Sequence, residues 1–151
     1  MLSRPPPAEN FSLATKVGRL LEARVFALRT RKDVEDYAEA FGTHLMRLPQ
    51  GTQAILCADH RPVTIYAQEV ADQLLQLFKP MNAILERVAI LAAPSNATFA
   101  MQLDRIVRAA GYNARKVVYT PDEAVQHLAP VLTPQELKRA RAFLEEYPAR
   151  P

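Results

Sequence analysis

Two short segments that are apolar on both faces constrain the fold of this chain more than any other feature. They read QAILCA at residues 53–58 and RVAILAA at residues 87–93. Strands of this kind are typical of a parallel sheet that helices cover on both sides. Each segment follows an amphipathic helical pattern, first at 31–48 and then at 65–78. Strands that alternate with single helices predict right-handed crossovers and a mostly parallel sheet.

The remaining segments complete the predicted order β-β-α-β-α-β-α-β-α-α. Two strands within 11–28 are expected to pair antiparallel, joined by a tight connection at Glu22 and Ala23. A further strand is predicted at 115–120, after a third amphipathic helix. We therefore predict an α/β fold with a mostly parallel sheet of about four or five strands, an antiparallel N-terminal edge and an extra C-terminal helix.

Capping residues mark where the helices begin. Thr30 is a good N-cap, and Asp33 three residues later completes a near capping box. Ser95 is the predicted cap of the third helix. The segments TPDE at 120–123 and TPQE at 133–136 each place Thr at the N-cap, Pro at N1 and Glu at N3, which predicts two further helix starts.

Composition limits the class of protein. The chain has 151 residues, which fits one domain, and its net charge of +3 is spread along the sequence. Nucleic-acid binders usually concentrate basic residues on one face, so we expect no nucleic-acid partner. The one cysteine, Cys57, excludes an internal disulfide and favours a reducing compartment. Neither a signal-peptide pattern nor an apolar run of roughly 18–20 residues is present, so we expect a cytoplasmic protein without membrane insertion.

Three parts of the chain are expected to behave differently. Residues 1–10 contain three consecutive prolines and predict a disordered or extended tail. Residues 11–129 form the predicted α/β domain. Residues 130–151 form the predicted C-terminal helix, whose apolar stripe packs on the domain or, alternatively, docks on a second copy or another partner.

Polar residues follow three of the predicted strands and form the candidate site. They are Asp59-His60-Arg61, Pro94-Ser95-Asn96 and Thr120-Pro121-Asp122. Ligands and partners of open α/β sheets meet the carboxyl ends of the strands, so these segments are expected on one edge of the domain. The alternative is that they are ordinary polar turns.

The residues do not form a catalytic or metal-binding pattern. In a strand, Cys57 and Asp59 point to one face, whereas His60 follows the strand, and the apolar surroundings of Cys57 disfavour a thiolate. Asp59 and Arg61 are expected to form an ion pair at the surface or in a loop. His44, His60 and His127 lie on separate predicted elements, so no metal site is expected. We expect neither an enzyme nor a bound cofactor.

Several segments resemble the STAS domain and the closely similar anti-sigma-factor-antagonist-like (SEC14-like) fold of small bacterial domains. They are AILCAD as the central strand, RVAILAAPSN as the next strand, and QLDRIVRAAGYNARKVVYTPDEAVQHL as the closing unit. In the closing unit, Tyr119 stands where the family usually has Phe, and His127-Leu128 replaces Trp-Leu. The resemblance covers residues 14–129, most of the chain.

The resemblance implies a regulatory or scaffold module that binds a protein partner at the end of the central strand. The implied contact residues are Asp59, His60, Arg61, Thr64 and Tyr66. Phosphorylatable members carry Asp-Ser-Ser/Thr-Gly at this place, and the Ser-Gly is missing here. Thr64 is the candidate phosphorylation site that remains, but we favour a role for Thr64 as the helix N-cap. The alternative function is the binding of a lipid or another apolar small molecule, as SEC14-like relatives do.

Overall fold

The structure is a computed structural model that describes residues 10–147. Within these residues it has five strands, five α-helices and one short 3-10 helix. In chain order they are β1 (Phe11–Ala14), β2 (Leu20–Val25), α1 (Arg31–Met46), β3 (Ala54–Asp59), α2 (Gln68–Met81), β4 (Leu85–Leu91), α3 (Ala97–Ala110), β5 (Arg115–Val118), α4 (Pro121–Leu128), the 3-10 helix (Ala129–Val131) and α5 (Pro134–Glu145). The tail predicted at residues 1–10 lies outside the described residues except for Asn10.

The strands form one mixed sheet in the order β1-β2-β3-β4-β5, which confirms the predicted fold class. β1 pairs antiparallel with β2, and the other three pairs are parallel. Because the parallel strands follow one another without a reversal, right-handed crossovers place α1, α2 and α3 on the same face. The order also lacks the reversal that creates a ligand crevice in doubly wound sheets.

The two faces of the sheet carry separate cores. Helices α1, α2 and α3 pack on one face of the sheet, which we call the α1–α3 face. Helices α4 and α5 pack on the other, which we call the α4–α5 face. β3 shows the alternation, because Leu56 and Ala58 belong to the first core whereas Ile55 and Cys57 belong to the second. All six residues of β3 are buried, as its apolar sequence predicts.

Three of the predicted helix caps are confirmed. Thr30, Thr120 and Thr133 each accept a hydrogen bond from the backbone N–H three residues later, and the acidic side chain at that position bonds back to the N-cap. The local sequence alone therefore places the starts of α1, α4 and α5.

The predicted tight connection at Glu22 and Ala23 is wrong. Both residues lie inside β2 and are buried, and the turn lies at residues 15–19. Gly18 in that turn has φ +56°. A Cβ at Gly18 would meet the carboxylate of Glu136, which accepts a hydrogen bond from the Arg19 N–H at 2.8 Å. The turn therefore fits against the first turn of α5.

Two of the predicted helix caps are also wrong. α2 begins at Gln68 with Ala67 as its N-cap, so Thr64 lies in the preceding loop and does not cap the helix. Two hydrogen bonds between the backbone of Tyr66 and the side chain of Gln102 hold this loop extended and delay the helix start. The N-cap of α3 is Asn96, the residue after Ser95.

The C-terminal helix α5 packs on its own domain, as the first alternative predicts. Ala140, Phe143 and Leu144 are buried in the α4–α5 face. Every helix within residues 10–147 falls short of the length and apolarity that a membrane crossing requires.

Candidate functional site

Asp59 ends the central strand, and its carboxylate is fully buried between two guanidinium groups. Arg24 Nε lies 2.8 Å from Oδ2. Arg61 Nε lies 2.9 Å from Oδ1, and Arg61 Nη2 lies 2.9 Å from Oδ2. The Arg61 N–H also donates to Oδ1 at 3.0 Å. The ion pair expected at the surface or in a loop is therefore part of a buried network of three charges, because α5 covers this end of the strand.

The two arginines keep Asp59 charged in the interior. Burial alone would raise the pKa of the Asp59 carboxyl, but the hydrogen bonds from Arg61 and Arg24 outweigh burial and hold this pKa below its usual value. Both carboxylate oxygens already accept hydrogen bonds from the arginines. These contacts make Asp59 suited to positioning rather than to accepting a proton from a substrate.

Arg24, Asp59 and Arg61 together form what we call the α5 clamp. Arg24 Nη2 donates to the Phe143 carbonyl at 2.6 Å, and Arg61 Nη2 donates to the Leu144 carbonyl at 2.8 Å. The last four carbonyls of a helix have no partner within the helix, and cations near that end are favourable. The Arg24 guanidinium also lies 4.2 Å from the centre of the Phe143 ring. The clamp therefore fixes the C-terminal end of α5.

A second buried ion pair holds the middle of α5. The carboxylate of Glu22 on β2 is almost inaccessible, and Arg139 of α5 donates to both of its oxygens at 2.7 and 2.8 Å. The two roughly parallel hydrogen bonds fix the orientation of Arg139 relative to Glu22 as well as stabilising the contact. Residue 22 is therefore a functional part of the α5 interface, although sequence reasoning assigned it to a turn.

His60 points to the opposite face of the sheet from Asp59. It is almost fully buried, and its Nδ1 lies 2.8 Å from the Tyr66 hydroxyl. The Tyr66 ring packs edge-on against Phe99 of α3, with 5.4 Å between the ring centres. Burial lowers the pKa of His60 to about 4, so its imidazole is neutral at pH 7. His60 and Tyr66 therefore tie the loop after β3 to α3.

Cys57 faces α4 and α5, on the other side of the sheet from His60. Burial, together with the nearby carboxylates of Asp59 and Glu22, raises the pKa of the Cys57 thiol to about 12. A protonated thiol in an apolar core is a poor nucleophile. The separation of Cys57 from His60 agrees with the alternation predicted for the strand.

The five residues predicted to contact a partner differ in exposure. Asp59, His60 and Tyr66 are buried, Arg61 is partly buried, and Thr64 is exposed. The Thr64 carbonyl accepts a hydrogen bond from Asn96 Nδ2 at 2.8 Å, which joins its loop to the start of α3. Three of the five side chains are therefore placed to support this edge from within, and their contact with a partner stays a prediction.

The surface at the carboxyl ends of the strands exposes apolar side chains that sequence reasoning missed. Six large hydrophobic residues among those described are exposed, and four of them lie at this edge. They are Phe26 after β2, Ile65 after β3, Tyr119 after β5 and Met101 near the start of α3, and we call them the carboxyl-edge patch. The local signal for Phe26, Ile65 and Tyr119 is an apolar residue placed directly after a strand or in a polar loop, whereas Met101 lies within α3.

A groove runs beside this patch. It has a volume of about 550 Å³ and is lined by α3 and by Tyr119, with Pro94, Ala97 and Ala100 forming a small-residue surface next to Met101. A second groove of about 610 Å³ continues along β5 and shares Asp104 and Arg108 with the first. Together they follow the free edge of β5.

One enclosed cavity lies within the described core, and it has little room for a ligand. The enclosed cavity between the sheet and helices α1 and α2 has a volume of about 10 Å³, enough for about one water molecule. Pockets for small molecules usually measure about 300–1,000 Å³. Within residues 10–147, no three His, Cys, Asp or Glu side chains are grouped so that they could hold a metal ion.

Comparison with protein-family models, with curated proteins and with solved structures found no match to this chain. The resemblance to STAS domains therefore stays a prediction.

Proposed function

We propose that this protein is a non-enzymatic, cytoplasmic regulatory or scaffold module of the STAS type, and that it binds a protein partner at the carboxyl edge of its sheet. The observation that carries the proposal is the position of the exposed apolar side chains. Four of the six among the described residues belong to the carboxyl-edge patch. Met and aromatic residues are enriched at protein interfaces, and their exposure at one edge of the sheet supports binding there.

The buried residues at this edge support the proposal by holding the patch in place. His60 and Tyr66 fix the loop that carries Ile65, and Asn96 bonds the same loop to the start of α3. Asp59 and Arg61 anchor the first residues of that loop on the opposite face. A surface on fixed loops loses less conformational entropy when a partner binds.

Thr64 gives this surface a means of control. Its side chain is exposed and immediately precedes Ile65. A phosphate on Thr64 would place about two negative charges beside an apolar contact, which disfavours docking. We therefore propose that phosphorylation at Thr64, where it occurs, releases the partner.

The test is quantitative affinity purification from the native host with matched variants. Met101→Glu places a charge in the patch, and Met46→Glu places the same charge on another exposed Met, at the last residue of α1. We expect Met101→Glu to reduce capture of the specific partner at least about tenfold, since central interface residues contribute about 2 kcal/mol or more. Met46→Glu should leave capture unchanged.

Two further variants complete the design. Ile65→Glu should act like Met101→Glu, and Thr64→Glu should give a partial loss that Thr64→Ala does not give. Far-ultraviolet circular dichroism confirms that each variant is folded. Equal loss from Met46→Glu and Met101→Glu, or no loss from either patch variant, would contradict binding through the carboxyl edge.

A further inference from the structure

β5 is one of the two edge strands of the sheet, and the direction of its peptide groups shows where a further strand could pair. Val88 N donates to Ala114 O at 3.0 Å, and Ala92 N donates to Val118 O at 2.9 Å. Alternate residues of a parallel strand direct their peptide groups to the same neighbour. The peptide groups of residues 114, 116 and 118 therefore point to β4, and those of 115, 117 and 119 point away from the sheet.

The chain itself occupies both ends of this edge but leaves its middle open. The Arg115 N–H donates to the Tyr112 carbonyl at 3.1 Å, and the Tyr119 N–H donates to Glu123 Oε1 at 2.8 Å. Between them, the N–H and C=O of Val117 bond to no described group. An open donor and acceptor at the centre of an edge can bind another extended backbone.

The opposite edge strand, β1, has a helix packed on one face, as β5 has. β1 lies against α1, where the Phe11 ring packs on Tyr37 with 5.1 Å between the ring centres. The Thr15 hydroxyl after β1 also hydrogen-bonds to His44 of α1 at 3.0 Å. After β5 the chain crosses to α4 on the other face, so none of residues 10–147 forms a strand beside β5 and α3, where the next strand of the series would lie.

We propose that an extended segment of the protein partner adds to β5 as a sixth strand, with apolar side chains toward α3 and acidic side chains toward Lys116. This inference rests on the proposed function and specifies how the partner binds. Val117 N–H and C=O supply the central backbone hydrogen bonds, in the manner of strand addition to other sheet edges.

The side chains on each side of β5 specify the sequence of that segment. On the α3 side, Val117 is partly buried, and Met101 and Tyr119 border the groove. On the other side, Lys116 is exposed and pairs with no described carboxylate. Side chains of a strand alternate between faces, so the segment carries apolar residues at every second position and an acidic residue opposite Lys116.

The probe for the experiment is a phage-displayed library of random 12-residue peptides, selected on the immobilised full chain. We expect selected peptides to alternate apolar with polar residues and to contain Asp or Glu. Val117→Pro removes the open N–H without touching the bonds to β4, as proline is tolerated at such edge positions. It should weaken binding of the selected peptides at least about tenfold, whereas Val117→Thr, which keeps the N–H, should change it less than about threefold.

Hydrogen exchange keeps the test decisive if Val117→Pro does not fold. In the unsubstituted protein, the amide of Val117 should exchange more slowly when a selected peptide is bound. An unprotected amide in the complex, peptides indifferent to Val117→Pro, or the recovery of no binding peptide would overturn the sixth strand.

Other outcomes separate this inference from the proposed function. Peptides that lose binding to Met101→Glu but not to Val117→Pro would overturn the added strand and leave the carboxyl-edge patch as the docking site. Peptides whose binding is unchanged by both Met101→Glu and Val117→Pro would contradict both the added strand and docking at the carboxyl-edge patch. A dimer in sedimentation experiments that Val117→Pro dissociates would overturn the assignment to a partner, because the occupant would then be a second copy of the chain.

Discussion

The two faces of the sheet hold their helices by different means. The α1–α3 face is a large apolar core in which, among the described residues, His60 and Arg115 are the buried ionisable side chains besides tyrosine. The α4–α5 face is smaller, and three of its sheet residues are the buried charges Glu22, Arg24 and Asp59. Apolar burial contributes roughly 25 cal/mol per Å² without regard to direction, whereas buried ion pairs gain little net energy but require defined geometry. The sheet therefore gains stability chiefly on one face and positional specificity on the other.

Arginines bound to the ends of helices occur on both faces. Besides the α5 clamp, Arg115 Nη2 lies 3.3 Å from the Phe78 carbonyl near the end of α2, and Arg87 Nη1 donates to the His127 carbonyl of α4 at 3.0 Å. These side chains satisfy carbonyls that have no partner within the helix. On the α4–α5 face, the carboxylate of Asp59 balances the positive charges of the α5 clamp. On the α1–α3 face, Arg115 Nη1 donates instead to the neutral side-chain amide oxygen of Asn82, at 2.6 Å.

The largest expected effect comes from removing the charge that balances the α5 clamp. Asp59→Asn keeps the shape of the side chain but leaves Arg24 and Arg61 without a carboxylate. Breaking a buried pair in this way costs about 3–5 kcal/mol. Urea denaturation should show a loss of this size in the free energy of unfolding. The matched control Asp36→Asn breaks the exposed pair with Lys32 and should cost less than about 1 kcal/mol. Similar losses from both variants would erase the proposed difference between buried and exposed pairs.

A smaller effect on the free energy of unfolding should come from His60 on the α1–α3 face, and it should depend on pH. The folded protein keeps His60 neutral down to about pH 4, while the unfolded chain takes up a proton near 6.5, so the unfolded state binds more protons between these values. The free energy of unfolding should therefore fall by roughly 3 kcal/mol as the pH is lowered from 6.5 to 4.

His60→Asn isolates this contribution, since the Asn side-chain amide can still form a hydrogen bond with the Tyr66 hydroxyl. Denaturation curves recorded from pH 4 to pH 8 should give a flatter profile for the variant than for the unsubstituted protein. His44 and His127 also have lowered pKa values, but they contribute equally to both profiles. Parallel profiles for the two proteins would show that His60 is not held neutral by burial.

The smallest of these effects should appear as local opening of the α4–α5 face. Arg139→Gln leaves Glu22 buried without its cation and should lower the free energy of opening of α5 by about 2 kcal/mol. Cys57 lies beneath α4 and α5 and is the one cysteine of the chain, so its reaction with a thiol reagent reports the opening of the α4–α5 face. We expect labelling about 30-fold faster than in the unsubstituted protein. Amide exchange in α3 serves as the control and should not change, and equal acceleration there would mean that the two faces open together.

Local patterns predicted the helix starts and the buried strand β3, because each of these features depends on only a few neighbouring residues. The Thr-Pro-x-Glu segments contain both partners of their capping boxes, and the apolar run of β3 is sufficient to indicate burial on both faces. The α5 clamp joins Arg24 to a carbonyl 119 positions later, and no local pattern carries such a contact. The turn predicted at Glu22 and Ala23 is instead part of a buried strand, and Arg139 of α5, which pairs with Glu22, makes burial of that charge acceptable. Exposure of Ile65 and Tyr119 depends on where the chain leaves the sheet, which periodicity does not specify.

The sequential order of the strands has a consequence for how the chain acquires its fold during synthesis. Each of the parallel strands β3, β4 and β5 pairs with the strand before it, across a single intervening helix, so these units can add one after another as they leave the ribosome. α5 is different, because its contacts with Glu22 span 117 residues and form only after α5 itself has emerged. A nascent chain that has not yet released α5 presents the charged strand ends uncovered. We expect chaperones to meet the protein in that state, with the α1–α3 face already closed.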